Sequence, residues 1–143
     1  MTETQANEQY RYQVRVRWVD TDASRRIHYT AMFRFFEAAE TEFMRLLGFT
    51  GERFQEMGVD RPRVNVSCDF KSQIRHDELL DISVRVVRIG NTSVTLGFTA
   101  TREDGAVGAS GSVTFVTIST TDGVPFPVPP DLRQALQNTM ATG

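Results

Sequence analysis

Apolar and polar residues alternate along several segments of this 143-residue chain. The first segment is residues 10–18 (YRYQVRVRW), where aromatic and valine side chains alternate with arginine and glutamine. A strict period of two is typical of a β-strand with one buried face. The segment therefore predicts a half-buried first strand. Its arginine-rich face is interpreted as the solvated one, because no aromatic side chain shares that face for base stacking.

Within residues 18–48 the period changes to steps of three and four, which is typical of a helix. The apolar stripe contains Met32, Phe36, Ala39, Phe43, Leu46 and Leu47, with Phe33 and Phe35 on its flanks. A stripe this wide predicts a helix that is covered by a sheet and forms the core of the fold. Gly48 is placed to supply the left-handed residue that ends the helix.

Residues 51–58 are long enough for a short helix or a structured turn, and alternation returns after them. One strand contains Val64, Val66, Cys68 and Phe70 on the face predicted to be inward, and three more strands follow between residues 79 and 119. The Asp104-Gly105 pair between two alternating runs indicates a tight hairpin. A proline-rich tail then leads to a short helix from Asp131. The order predicts an α+β fold, a five-stranded antiparallel sheet wrapped around one long central helix.

Composition and charge restrict the class of protein. Residues 1–9 carry no pattern and are predicted to be a flexible tail, with residues 10–143 as a single domain. A net charge of -2 argues against a dedicated nucleic-acid binder. No apolar run reaches the length of a membrane span, and the first nine residues lack the apolar core of a signal peptide, so we expect a cytoplasmic protein without a membrane partner. Cys68 is the single cysteine, which excludes an intramolecular disulfide.

Candidate chemistry is concentrated where the first strand meets the long helix. Asp20 and Asp22 form an acidic turn, and His28 and Tyr29 lie where the helix is predicted to begin. Free N–H groups and a partial positive charge at a helix start can polarise a carbonyl beside a general base. The alternative is that both aspartates only close an Asx turn. A metal site is disfavoured because only two histidines exist and the spacing supplies no complete ligand set.

Four segments of the chain resemble hotdog-fold acyl-CoA thioesterases of the 4-hydroxybenzoyl-CoA thioesterase-like family. The most specific of them is the D-x-D turn that precedes the aromatic helix, and the resemblance covers roughly residues 10–119. The four segments are residues 19–23 (VDTDA), 35–39 (FFEAA), 75–79 (RHDEL) and 89–93 (IGNTS). The chain departs from the family at residues 24–26 (SRR), where many relatives have a glycine-rich turn, and at Met32, where an aromatic residue is frequent.

The resemblance implies hydrolysis of an acyl thioester, carried on coenzyme A or on an acyl carrier protein, without a metal or other cofactor. It assigns the catalytic carboxylate to Asp22 and the carbonyl-polarising backbone N–H to Tyr29, and we predict a supporting role for His28. The predicted acyl-binding side chains are Met32, Phe33 and Phe36. The predicted contacts to the phosphates of coenzyme A are Arg75 and Arg88, with Arg25 and Arg26 as further candidates.

Other interpretations of the same residues stay open. A non-catalytic acyl-binding hotdog module would not need a carboxylate at Asp22, and a hotdog dehydratase would need a histidine-centred site. Glu40 lies inside the apolar arc of the helix, either as a buried, paired carboxylate or as a second acid near the pocket. The resemblance also implies that two subunits join their sheets edge to edge, which predicts a homodimer, with a homotetramer as the alternative.

Overall fold

The computed structural model describes residues 10–142, so the predicted flexible tail at residues 1–9 lies outside the described residues. These described residues form seven strands, three α-helices and one 3-10 turn at Trp18–Asp20. The strands are β1 (Tyr10–Arg15), β2 (Val59–Asp60), β3 (Arg63–Phe70), β4 (Leu79–Ile89), β5 (Ser93–Thr101), β6 (Val107–Val116) and β7 (Ile118–Ser119). The helices are α1 (Ala31–Leu46), α2 (Gly51–Met57) and α3 (Pro130–Thr142).

The main sheet has five strands in the order β1-β4-β5-β6-β3, and every neighbouring pair is antiparallel. The predicted α+β architecture with a five-stranded antiparallel sheet is therefore confirmed. Strands β2 and β7 form a separate two-stranded ribbon that the pattern did not predict. The first strand is shorter than predicted, because the backbone turns after Arg15 and Val16 instead donates its N–H to the carbonyl of Glu78 at 2.9 Å.

Helix α1 packs on the sheet through the apolar stripe that its sequence predicts. The ring of Phe36 stacks on Phe98 with centroids 4.7 Å apart. Gly111 makes this packing possible, because a Cβ there would come within 2.8 Å of the Phe36 ring. Gly48 ends the helix with a φ of 92°, as predicted. Leu46 was wrongly placed in the buried stripe, since it is 71% exposed at the last turn.

The core also includes the C-terminal helix. Leu132 and Leu136 of α3 are fully buried and belong to the same hydrophobic cluster as α1, so the sheet carries two helices.

Strand β3 is an edge strand, and nothing in residues 10–142 pairs with its outer side. Its apolar side chains were predicted to point inward, yet Val64, Val66 and Phe70 are all substantially exposed. Among the described residues, no helix combines the length and apolarity that a membrane crossing needs.

Candidate active site

The loop between β1 and α1 is anchored by the buried carboxylate of Asp20. One of its oxygens accepts a hydrogen bond from the Arg17 N–H at 2.9 Å, and the other accepts one from the Arg34 guanidinium at 2.7 Å. Its backbone carbonyl accepts from the His28 N–H at 2.8 Å. Asp20 thus ties together the 3-10 turn, the end of the loop and helix α1. With every oxygen committed in this way, Asp20 fits the structural role better than a catalytic one.

Asp22 differs from Asp20 in exposure and in its partners. The Asp22 side chain is exposed, and its Oδ1 accepts hydrogen bonds from the Ser24 hydroxyl at 2.5 Å and the Ser24 N–H at 2.8 Å. These hydrogen bonds from Ser24 lower the pKa of Asp22 below its ordinary value. Within residues 10–142 its Oδ2 accepts no hydrogen bond. The carboxylate is therefore held in place by one oxygen and ionised, with the second oxygen available for chemistry.

Tyr29 lies just before helix α1, which begins at Ala31 with Thr30 as its N-cap residue. Its side chain is 68% exposed and stacks on the His28 ring with centroids 4.6 Å apart. The Tyr29 N–H donates no hydrogen bond to any group in the described part of the chain. The His28 ring contacts the Thr30 hydroxyl through Nδ1 at 2.7 Å, so His28 organises the helix start. The loop brings a free carboxylate oxygen and a free backbone N–H into one compact unit.

The predicted acyl-binding side chains are not equally available. Met32 and Phe36 are fully buried in the core. Phe33 is half-buried and lines a groove of about 120 Å³ with Val66 and Val113. Sequence periodicity identifies which residues share a helix face, but it does not separate those that fill the core from those that border a cavity. Only Phe33 is accessible to a ligand in this arrangement.

The two predicted phosphate-binding arginines lie at different ends of the sheet. Arg75 forms an antiparallel bridge with Arg26 and so lies beside the Asp22 turn. Arg88 lies nine residues after Leu79 on strand β4, which is about 30 Å along an extended strand. Because β1 joins β4 at Leu79, the acidic turn and Arg88 are far apart within one chain. Within one chain, Arg88 therefore does not reach a site at Asp22.

Two surface cavities flank the loop, and Arg26 lines both. The first, of about 340 Å³, is lined by Trp18, Ser24, Arg25, Arg26, Arg75 and His76, and we call it the arginine pocket. The second, of about 380 Å³, is lined by Arg26, Ile27, Phe70, Lys71, Ser72, Gln73 and Ile74, and we call it the apolar groove. Space for a ligand therefore exists on either side of the loop between β1 and α1.

A stacked pair of rings in the arginine pocket was not predicted from the sequence. Trp18 and His76 lie parallel, with centroids 3.4 Å apart and an interplanar angle of 13°. Alternation had assigned Trp18 to the buried face of the first strand, but the 3-10 turn rotates it outward and leaves it 61% exposed. Among the described residues, no cluster of three or more His, Cys, Asp and Glu side chains is placed to hold a metal ion.

Cys68 contributes no evident reactivity. Burial and the neighbouring Asp69 carboxylate raise the pKa of the half-buried thiol to about 11. A thiol at that pKa is protonated at neutral pH and is a poor nucleophile.

Comparison with known proteins identifies the family of the chain. Residues 26–109, more than half of the chain, match the family model described as the thioesterase superfamily. The chain therefore belongs to the thioesterase superfamily. The match includes Tyr29 and helix α1 and begins four residues after Asp22. A curated relative, a putative esterase of Aquifex aeolicus, is 29% identical over 96 residues, which are 67% of this chain and 75% of that protein.

Solved structures show the fold at lower sequence identity. A DHNA-CoA thioesterase from Staphylococcus aureus superimposes with a TM-score of 0.84 at 19% identity, covering 92% of this chain and 90% of that one. A 1,4-dihydroxy-2-naphthoyl-CoA thioesterase from Synechocystis gives a TM-score of 0.83 at 15% identity, covering 91% and 96% of the two chains. The hotdog fold that the sequence resembles is the fold of these thioesterases.

Proposed function

We propose that this protein hydrolyses acyl-CoA thioesters and that Asp22 and the Tyr29 N–H perform the reaction. Membership of the thioesterase superfamily supports thioester hydrolysis in general. The observation that supports these two residues is the pairing, on one loop, of an exposed, ionised carboxylate and a backbone N–H with no partner among residues 10–142. The two Staphylococcus and Synechocystis structures are both described as CoA thioesterases, which supports coenzyme A as the thiol carrier.

The chemistry needs little beyond these groups. In one route Asp22 Oδ2 attacks the thioester carbonyl, the thiolate leaves, and water then hydrolyses the resulting anhydride. In the other route Asp22 removes a proton from the attacking water. In both, the carbonyl oxygen becomes an oxyanion that accepts a hydrogen bond from the Tyr29 N–H at the positive end of α1. Neither route requires a metal or an organic cofactor.

In this proposal the rest of the domain positions the reacting groups and binds the substrate. Residues 10–143 act as one hotdog domain in which α1 is the central helix, and His28 and Thr30 hold its first turn. The apolar groove and the arginine pocket, on either side of Arg26, receive the two sides of the thioester. Phe33 is the one predicted acyl contact that borders open space.

A panel of acyl-CoA substrates tests the proposed function. We expect the purified protein to release free thiol from aryl, short-chain or long-chain acyl-CoA, with a kcat/KM well above the uncatalysed rate and a clear preference within the panel. Thiol release is measured with a colorimetric thiol reagent. A protein that binds these thioesters without hydrolysing any of them would instead be a non-catalytic acyl-binding module.

Assembly is a second expected result. Strand β3 presents an unpaired edge and the exposed Val64, Val66 and Phe70, which together favour pairing with the same strand of another copy. We expect a homodimer, or a homotetramer built from it, in small-angle scattering at micromolar concentration. A dimer would also bring the partner's residues, with Arg88 among the candidates, towards each site.

A charged substitution on β3 provides the control. Val66→Lys should weaken the dimer, whereas Leu46→Lys, at the exposed end of α1, should leave the mass unchanged. A monomeric mass for the unmodified protein would contradict the proposed assembly.

A further inference from the structure

The arginine pocket adjoins the catalytic loop. Ser24 lines the pocket and donates two hydrogen bonds to Asp22 Oδ1. A group bound in the pocket would therefore lie next to the thioester on which Asp22 acts. The pocket has a volume of about 340 Å³, which is enough for a ring with its substituents.

The pocket concentrates positive charge in a protein whose net charge is negative. Arg25, Arg26 and Arg75 all line it, and none of the three forms an ion pair with a carboxylate within residues 10–142. The Arg75 guanidinium donates only to the neutral side-chain amide of Gln73, at 2.7 Å. Other arginines of the described chain, such as Arg34 and Arg63, are paired with buried carboxylates. Unpaired guanidinium groups around one cavity favour an anionic ligand.

The wall of the pocket is a flat aromatic surface. Trp18 is held parallel to His76 at 3.4 Å and remains 61% exposed, and the Arg25 guanidinium lies 5.9 Å from the Trp18 ring centroid. An exposed tryptophan in a fixed orientation suits stacking with a planar group. The aromatic wall and the guanidinium groups together fit a ring that carries negatively charged oxygens.

The backbone around the pocket is held in an unusual conformation. Among residues 10–142, the two non-glycine residues with positive φ are Arg25, at 65°, and Asp77, at 73°. The two residues lie close in space, because His76, which precedes Asp77, donates its N–H to the Arg25 carbonyl at 3.1 Å. A left-handed arginine costs conformational energy that glycine would avoid. Residues held in such conformations cluster at ligand-binding and catalytic sites, which agrees with a ligand-binding role for this loop.

We propose that the arginine pocket binds a planar, anionic part of the thioester substrate. The inference rests on the proposed thioesterase activity, which places the thioester at Asp22. The bound part is an aryl acyl group that bears a second carboxylate, because an acyl-borne carboxylate reaches the pocket directly from the reacting carbonyl. The adenine nucleotide of coenzyme A, whose phosphates the resemblance already assigns to these arginines, reaches the pocket only when the pantetheine arm folds back. Binding of the nucleotide there is the outcome that would overturn the proposal.

Direct binding is measured through Trp18, which is the only tryptophan of the chain. Tryptophan fluorescence is titrated with ADP and adenosine, and with terephthalate and its neutral analogue terephthalamide. We expect saturable quenching by terephthalate, with an affinity about tenfold above that of terephthalamide and weakened by added salt. A preference for ADP over terephthalate would assign the pocket to the nucleotide and overturn the proposal.

Arg25→Gly is the decisive variant, because it removes the guanidinium and relieves the left-handed backbone. It should lower the affinity for the anionic probe about tenfold while leaving the melting temperature unchanged or raising it by about 2 °C. Arg75→Gln should weaken binding similarly. The matched control is Arg45→Gln, which removes one exposed guanidinium at the far end of α1, about 20 Å away along the helix.

The same variants connect binding to turnover. Arg25→Gly should reduce the preference for carboxybenzoyl-CoA over carbamoylbenzoyl-CoA by about tenfold. A variant that instead loses only the preference for an acyl-CoA over the same acyl group on pantetheine would assign the pocket to the nucleotide. Equal quenching by charged and neutral probes, or unchanged affinity in both arginine variants, would overturn the proposal. Because the titration needs no turnover, a failure of the thioesterase assay leaves this test intact.

Discussion

Replacing Asp22 with asparagine is expected to lower kcat for a good acyl-CoA substrate by about 10²- to 10⁴-fold, the range typical of a positioned acid or base. The substitution preserves shape and keeps an oxygen that can accept hydrogen bonds from Ser24, but it removes the negative charge. Because Asp22 is exposed, its loss should not affect folding. The measurement is thiol release by the folded variant, with its melting temperature compared with that of the unmodified protein.

Asp20→Asn is the matched control two residues away. Asp20 is buried and binds Arg34 and the Arg17 N–H, so the same substitution should lower the melting temperature more and the rate less. If Asp22→Asn retains nearly full activity, Asp22 is only a turn residue that bonds to Ser24.

The hydrogen bonds from Ser24 also predict how the activity depends on pH. Since they lower the pKa of Asp22, its carboxylate stays ionised throughout the neutral range, and its contribution to activity should be lost only in acid.

Most of the fold followed from the periodicity of apolar residues. The alternating segments became β1, β3, β4, β5 and β6, and the aromatic helix became α1. The wrong predictions of burial share a cause. The period of apolar residues shows which side chains share a face of a strand or helix, but it does not show whether another element covers that face. Val64 and Val66 alternate like buried residues, yet β3 is at the sheet edge. Leu46 continues the stripe of α1 to the last residue of the helix, where its side chain is exposed although Phe43 and Met44 in the same turn are buried.

The candidate site was predicted less completely, because it depends on how the loop folds. Chain order predicted that Asp22 and Tyr29 lie on the loop that leads into α1, and their catalytic roles stay predictions. It could not distinguish Met32 and Phe36, which fill the core, from Phe33, which borders a groove. The Trp18–His76 stack joins residues from distant parts of the sequence through a 3-10 turn that has no clear sequence signal. Long-range contacts of this kind require the folded structure.

The second large expected effect is a loss of stability when Glu40 is replaced. Glu40 is 1% exposed, and its Oε2 binds Arg61 at 3.2 Å and Arg63 at 2.5 Å. Burial lowers the pKa of Arg61, and the Glu40 carboxylate opposes that shift. Removing one partner of a buried ion pair leaves uncompensated charge, which typically costs about 3–5 kcal/mol. Because Arg63 is partly exposed, we expect Glu40→Ala to cost about 3 kcal/mol, or roughly 10 °C in melting temperature.

Two comparisons separate a structural role of Glu40 from a catalytic one. Glu42→Ala, which removes an exposed carboxylate 3.5 Å from Arg45 on the same helix, should change stability by less than about 1 kcal/mol. A triple variant that carries Glu40→Leu, Arg61→Met and Arg63→Leu should recover much of the lost stability, because no buried charge is then left without a partner. If that folded triple variant releases thiol at close to the normal rate, Glu40 acts through the ion pair. A loss of kcat in a variant of normal stability would instead make Glu40 a second acid of the site.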